Sequence, residues 1–158
     1  MDHNQITEQE ILNVQEQWAR GIEEIGAVFV NKGEYKARAK EHIKNLYAYD
    51  QGDVLFKPTL ASDQPFRPTF DQALSYFVGG DIPEDSGFAT TPWSKVRFGA
   101  QQIKILPDMA LAMGNYYFTP MNDTKETKVE FTFGYVRNEV GNLCIILHHS
   151  SMPFAKAA

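Results

Sequence analysis

The strongest constraint on the fold of this chain is a run of four strand-like segments in its second half. Short turn sequences rich in Pro, Asp, Asn and Gly separate the segments. Parallel neighbours need a crossover of a dozen or more residues, so these short connections predict an antiparallel meander. In the third segment large apolar residues alternate with smaller or polar ones, which indicates a sheet with one covered face. The predicted strands are 94–106, 109–121, 128–139 and 143–152, and the alternating apolar residues are Val129, Phe131, Phe133 and Tyr135.

Helical patterns precede the predicted sheet. Thr7 and Glu10 have the spacing of a capping box, and apolar residues then recur every three or four positions. A second helical pattern covers 34–49, and a third begins with the capping-box pair Thr69 and Gln72. A short strand at 54–57 and a proline-rich loop at 58–68 lie between the second and third helices. Helices followed by a meander predict an α+β fold, with the N-terminal helices packed on a curved, mainly antiparallel sheet.

The size and composition of the chain are those of one globular domain, 1–158. It has 158 residues, of which 43% are hydrophobic, enough to bury a core and a modest pocket. The formal net charge of -5 and the lack of a long Lys/Arg cluster argue against nucleic-acid binding. No apolar run approaches the ~18 residues that span a bilayer, and the single cysteine, Cys144, cannot form an internal disulfide. We therefore expect a soluble, cytoplasmic protein that binds neither membranes nor nucleic acids.

The end of the last predicted strand is where chemistry is expected. There an apolar stretch runs into two histidines and two serines and stops at Pro153. Successive side chains of a strand point to opposite faces, so one imidazole and one hydroxyl share each face. A base beside a hydroxyl among apolar neighbours can transfer protons, whereas the alternative is a polar strand end with purely structural hydrogen bonds. The two faces are, first, Ile145, Leu147, His149 and Ser151 and, second, Ile146, His148 and Ser150.

The sequence does not indicate a metal site. It has no paired cysteines, no His-Glu-x-x-His motif and no glycine-rich phosphate loop. The four histidines are His3, His42, His148 and His149, and the last two, being adjacent on a strand, point to opposite faces. A three-histidine zinc site is therefore not expected, and we predict no metal ligands.

Five sequence blocks occur together, in order, after residue 45. They are YDQGDVLFKPT (49–59), FRPT (66–69), SYFVGG (75–80), FTFGY (131–135) and LHHSSMP (147–153). In this order they resemble the iota-class carbonic anhydrases, a group within the nuclear transport factor 2-like superfamily. The superfamily also includes the association domain of calcium/calmodulin-dependent kinase II, which ends on a similar His-rich strand. The resemblance implies a cone-shaped α+β fold in which a strongly bent sheet encloses a pocket. It also implies reversible hydration of carbon dioxide to bicarbonate with no metal or other cofactor.

The resemblance assigns roles to individual residues of this chain. The catalytic and substrate-binding residues would be Thr59, Tyr76, His149 and Ser151, and Phe131 and Leu147 would form an apolar wall of the pocket. Water without a metal keeps a pKa near ~15.7, so general-base assistance has to replace free hydroxide. A water held by three hydroxyl groups would attack carbon dioxide, while the imidazole of His149 would orient Ser151 or accept the proton. Without a functional role, Thr59 would be a loop cap and Tyr76 a core residue.

The sequence alone leaves two other functions open. One is an enzyme of the ketosteroid-isomerase or polyketide-cyclase type, which usually places an Asp or Glu base in its pocket. No carboxylate occupies an obvious inward position near His149. The other is a non-catalytic association domain. Under every alternative we expect a homodimer, because a sheet face rich in Val, Phe and Tyr is usually buried against a second copy.

Overall fold

The computed structural model describes residues 5–157, and helices precede the main sheet as predicted. The first half contains three α-helices, a short 3-10 turn at Tyr49–Gln51 and one short strand; the second half contains four long strands. The α+β class is confirmed. The helices are α1 (Glu8–Val30), α2 (Tyr35–Leu46) and α3 (Phe70–Val78), and the strands are β1 (Leu55–Lys57), β2 (Trp93–Ile105), β3 (Ala110–Pro120), β4 (Thr127–Arg137) and β5 (Leu143–Ser151).

Both predicted capping boxes begin helices. The side chain of Thr7 accepts a hydrogen bond from the backbone N–H of Glu10, whose carboxylate accepts the N–H of Thr7. Thr69 and Gln72 make the same reciprocal pair at the start of α3. Each box satisfies N–H groups that the first helical turn leaves unpaired, so both starts are determined locally.

The end of α2 differs from the prediction. The helix stops at Leu46 and not at residue 49, because Tyr47 adopts an extended conformation with φ −107° and ψ 145°. Tyr47 then forms a parallel bridge with Ile145 of β5. The chain that follows α2 therefore begins beside β5 of the sheet.

The five strands form one sheet in the order β1-β5-β4-β3-β2. The strands β2 to β5 pair antiparallel with their neighbours, which confirms the predicted meander. The short strand β1 instead runs parallel to β5, with Phe56 opposite His148 and Lys57 opposite His149. The loop that follows β1 therefore begins beside the C-terminal end of β5.

The core lies between α1 and the inner face of the sheet. The four alternating residues of β4 are all buried there, as predicted. Trp18 of α1 is also buried, and its ring stacks on Tyr116 of β3 with 5.5 Å between centroids. The ring of His148 lies between Phe56 and Phe133, at 5.0 and 4.1 Å. Aromatic rings from both layers thus surround the end of β5.

Candidate active site

The end of β5 presents the opposite face to the interior from the one expected. His148 and Ser150 are buried on the inner face, with 2% and 1% of their surface exposed. His149 is exposed and Ser151 is half-buried on the outer face. His149 and Ser151 do share a face, where they line an open depression, whereas Thr59 and Tyr76 lie on the inner side together with Ser150.

A bulge in β5 explains the difference. Tyr135 of β4 pairs with Ile145, but the preceding Gly134 pairs with Leu147, so Ile146 has no partner in the ladder. One extra residue reverses the alternation of faces along a strand. Ile145 consequently points inward while Leu147 lies on the outer face. The sequence pattern gave both residues the same face because it assumed a regular strand.

Ser150 is the centre of a cluster of hydroxyl groups. Its Oγ lies 2.6 Å from Oγ1 of Thr59 and accepts a hydrogen bond of 2.5 Å from the hydroxyl of Tyr116. Thr59 reaches this point because it follows β1, the parallel neighbour of β5. Tyr116 reaches it from β3, on the far side of β4. The sequence analysis expected Thr59 beside Ser151, whereas Thr59 contacts Ser150. It missed Tyr116, whose only signal was its inward position in the alternation of β3.

Tyr76 places a fourth hydroxyl group in the same region. It lies on α3, and its oxygen accepts the backbone N–H of Leu60 at 3.2 Å. Burial raises the pKa of Tyr76 to about 12, although hydrogen bonds with Leu60 and Thr59 act in the opposite direction. The side chain is therefore a neutral phenol at ordinary pH. The structure thus brings Tyr76 and Thr59 together, as predicted.

These hydroxyl groups line a small cavity. The other lining residues are aromatic or apolar except for His148: Trp18, Phe56, Pro58, Phe77 and Phe88. The cavity measures about 10 Å³ for the centre of a water molecule. A space of this size suits small reactants and not steroid-sized or polyketide ligands. Phe131 packs against Phe98 and Tyr116 in the core. Phe131 and Leu147 do not line this cavity, but both line the outer-face depression that includes His149 and Ser151.

His148 connects the hydroxyl cluster to the protein interior. Its Nε2 lies 3.0 Å from the hydroxyl of Tyr116, and its Nδ1 lies 2.8 Å from the hydroxyl of Tyr47. Burial lowers the pKa of His148 well below its usual range, and His149 and His42 act in the same direction. The imidazole is therefore neutral. The cavity walls among the described residues include no carboxylate, so the site works with neutral hydrogen-bond donors and acceptors.

Metal ligands are not assembled anywhere in the described part of the chain. Among residues 5–157, no three His, Cys, Asp or Glu side chains lie together in a way that could hold an ion. His3, one of the four histidines considered from the sequence, lies outside the described residues. Within the same range, no helix is both long and apolar enough to cross a membrane.

The sequence of residues 9–152 matches the family model described as "Metal-independent carbonic anhydrase". The chain belongs to this family. Its activity is therefore that of a carbonic anhydrase, and the predicted reversible hydration of carbon dioxide is confirmed. A curated metal-independent carbonic anhydrase from Nostoc sp. strain PCC 7120 is 42% identical over 154 residues, which cover 94% of this chain and 75% of the relative.

Solved structures of related proteins support both the class and the fold of this carbonic anhydrase. An iota-carbonic anhydrase from a cyanobacterium, crystallised with bicarbonate, has a TM-score of 0.93 and 39% identity, with 99% of this chain and 98% of that chain covered. The predicted iota class is thus confirmed. A nuclear transport factor 2-like protein of unknown function from Pseudomonas putida KT2440 has a TM-score of 0.66 and 18% identity, over 96% and 92% of the two chains. The similarity to this more distant protein shows only the fold. It is the nuclear transport factor 2-like fold that the sequence predicted.

Proposed function

We propose that carbon dioxide and bicarbonate react in the cavity lined by Thr59, Tyr76, Tyr116 and Ser150, with His148 behind it. The observation that carries this assignment is the position of the Ser150 oxygen, within 2.6 Å of the hydroxyls of both Thr59 and Tyr116. Tyr76 completes the cavity wall. The catalytic serine and histidine are then Ser150 and His148, each one residue before the residue assigned from the sequence.

The hydroxyl cluster is suited to holding a small oxyanion such as bicarbonate. The oxygen of Tyr76 already accepts the N–H of Leu60, which leaves its proton for Thr59 or for a ligand in the cavity. Ser150 accepts the proton of Tyr116, and when it also accepts from Thr59 its own proton is available to the ligand. A hydrogen bond to a charged partner contributes roughly 1.5–3 kcal/mol, so two or three such donors provide substantial binding. The cyanobacterial relative crystallised with bicarbonate supports the assignment of this ligand.

Hydration requires one proton to leave the attacking water and one carbon dioxide oxygen to gain negative charge or a proton. We assign both transfers to the paired hydroxyls. The water oxygen bonds to the carbon, the water passes a proton to Thr59, Thr59 passes its proton to Ser150, and Ser150 passes its own to a carbon dioxide oxygen. The product is carbonic acid, which ionises to bicarbonate. Because each hydroxyl gains and loses one proton, no charged base is required, in agreement with the neutral state of His148.

The rest of the cavity favours the nonpolar reactant. Its apolar walls are formed by the rings of Phe56, Phe77, Phe88 and Trp18. Apolar walls bind linear, uncharged carbon dioxide by exclusion of water and strengthen hydrogen bonds inside the cavity. The cavity thus combines an apolar wall for carbon dioxide with hydrogen-bond donors for bicarbonate. This combination suits a reaction that converts a nonpolar molecule into an anion.

The deciding experiment compares two adjacent serines on opposite faces of β5. Ser150→Ala removes the central hydroxyl and little volume, and we expect carbon dioxide hydration to fall by about 10²-fold or more, as when a positioned donor is removed. Ser151→Ala makes the same chemical change on the outer face and is expected to retain nearly all activity. Both proteins should be assayed by stopped flow after exhaustive chelation, with metal content measured. Equal losses, or full activity of Ser150→Ala, would refute the site, whereas activity that depends on restored metal would refute the proton relay.

We further propose that the enzyme is a homodimer that associates through the outer face of the sheet. Exposed apolar side chains lie on this face: Leu55, Phe66 and Met113 are 67%, 71% and 62% exposed. With Leu147 they line two adjoining depressions, and continuous apolar surface of this kind is usually buried against a partner. Light scattering after gel filtration should give twice the monomer mass, and Met113→Lys should shift it toward the monomer. A monomeric wild-type protein would refute the dimer.

We also propose that residues 1–158 form one domain and that the enzyme acts in the cytoplasm. One continuous core includes residues from α1 through β5, which supports a single folding unit. Cys144 is a buried free thiol, which suits a reducing compartment. A single unfolding transition would support one domain. The distribution of the tagged protein between cell fractions would test the cytoplasmic location.

A further inference from the structure

A buried chain of hydrogen bonds continues behind the catalytic cavity. Nε1 of Trp18 donates to the hydroxyl of Tyr47 at 2.9 Å, and that hydroxyl lies 2.8 Å from Nδ1 of His148. On the other side of the ring, Nε2 lies 3.0 Å from the hydroxyl of Tyr116, which donates to Ser150. All five side chains are nearly inaccessible to solvent. The elements joined in this way are α1, the end of α2, β5 and β3.

The chemistry of these groups fixes the direction of each hydrogen bond. An indole N–H can only donate, so the oxygen of Tyr47 accepts from Trp18. The single proton of Tyr47 is then available to His148 Nδ1. A neutral imidazole that accepts at Nδ1 carries its proton on Nε2 and donates there. The acceptor is the oxygen of Tyr116, whose own proton is directed to Ser150. In this arrangement each group from the Trp18 indole to the Tyr116 hydroxyl donates its one proton to the next member of the chain.

We propose that Tyr47, anchored by Trp18, is a positioning residue that holds His148 in its Nε2-protonated form and thereby turns the Tyr116 proton toward Ser150. This inference rests on the proposed function of the Ser150 cluster. It adds a role for two residues, on α1 and at the end of α2, whose hydrogen bonds reach the cluster only through His148. It also makes His148 an orienting group and not the general base.

The other neutral tautomer of His148, protonated on Nδ1, would break the hydrogen bond from Tyr116 to Ser150. With the proton on Nδ1, the ring would donate to Tyr47, and the bare Nε2 would attract the Tyr116 proton away from Ser150. Tyr47 would then accept two hydrogen bonds, and the described structure gives its own proton no further acceptor. A buried donor without a partner is unfavourable, because it loses its hydrogen bonds to water and gains none in the protein. The Trp18–Tyr47 pair therefore selects the tautomer in which Ser150 receives a hydrogen bond.

The first test is spectroscopic and uses the wild-type protein. Long-range ¹H–¹⁵N correlation spectra of ¹⁵N-labelled enzyme distinguish protonated from bare ring nitrogens, and His148→Gln assigns the signals. We expect His148 to show a protonated Nε2 and a bare Nδ1. A protonated Nδ1 would overturn the inference, whatever the variants show.

The second test removes the Tyr47 hydroxyl. In Tyr47→Phe we expect a mixture of both His148 tautomers and a decrease in kcat of roughly tenfold, the factor for one hydrogen bond, with less change in KM. Tyr135→Phe is the matched control, because Tyr135 is equally buried and hydrogen bonded, but to Gln15 and outside this chain. It should keep both the tautomer and kcat.

The two proposals fail in different ways. A Tyr47→Phe enzyme that retains the Nε2-protonated ring and wild-type kcat would overturn the role of Tyr47, even if Ser150→Ala is inactive. An active Ser150→Ala enzyme would refute the catalytic cluster, even if the tautomer is as expected. If Tyr47→Phe does not fold, the wild-type spectrum alone decides the tautomer assignment.

Discussion

His42 should make this enzyme sensitive to mild acid. The side chain lies on α2 with 2% of its surface exposed, and neither ring nitrogen has a hydrogen-bond partner among residues 5–157. Burial lowers the pKa of His42 to about 3 from an ordinary 6.5, and the positive charge of Arg38 acts in the same direction. The folded protein therefore holds a neutral imidazole at pH values where the unfolded chain is already protonated.

The sign and size of the effect follow from this difference. Below pH 6.5 the unfolded state binds a proton that the folded state does not, so the free energy of unfolding falls as the pH falls. The contribution is fully present above pH 6.5 and is lost between pH 6.5 and about 3. Between pH 7 and pH 5 the loss from this one residue is about 2 kcal/mol. The lowered pKa of His148 adds a loss of the same sign.

Urea unfolding of the wild type and His42→Leu at pH 7 and pH 5 isolates the contribution of His42. The wild type should lose about 2 kcal/mol more stability than the variant over this interval, because leucine has no proton to bind. Both proteins need the same concentration, so that any subunit association affects them equally. The same pH dependence in the two proteins would refute the buried, neutral state of His42.

Three further perturbations test the structure around the cavity. Asp85→Asn breaks the buried two-bond ion pair with Arg67 and should lower the free energy of unfolding by about 3–5 kcal/mol. Glu126→Gln, in an exposed pair, should change the free energy of unfolding very little. Gly21→Ala should also destabilise the fold in urea, because its Cβ would overlap the buried ring of His42. Finally, kcat/KM for hydration should be constant from about pH 6 to 9, since the site imidazole stays neutral and the phenols stay protonated. A pH profile with a midpoint near ~7, as for zinc-bound water, would contradict this expectation.

The parts of the fold that were predictable depend on residues close together in sequence. The capping boxes at Thr7 and Thr69 are satisfied within four residues, and the alternation of β4 shows which side chains are covered. The end of α2 was not predictable in this way. Tyr47 leaves the helix to pair with Ile145, almost a hundred positions later, and only the assembled sheet provides that partner.

The residues of the candidate site also differ in how far they could be predicted from nearby sequence. Thr59 and Tyr76 were assigned through sequence blocks, and they do line the cavity. The choice between Ser150 and Ser151 depended on the bulge at Ile146, which is a property of the pairing between β4 and β5 and not of β5 alone. No periodicity within the strand reveals such an insertion, because the residues on both sides of it are apolar.

Tyr116 and Tyr47 were missed because their chemistry exists only between elements. As single residues, each is a tyrosine in a stretch where a core position is the ordinary expectation. Their importance comes from hydrogen bonds that span 34 residues to Ser150 and 101 residues to His148. A site made of neutral hydroxyls and one neutral imidazole has no charge cluster or metal-ligand spacing to mark it in sequence. Its function depends instead on the direction of each proton, and that direction is set by the last partner in the chain, the indole of Trp18, which can only donate.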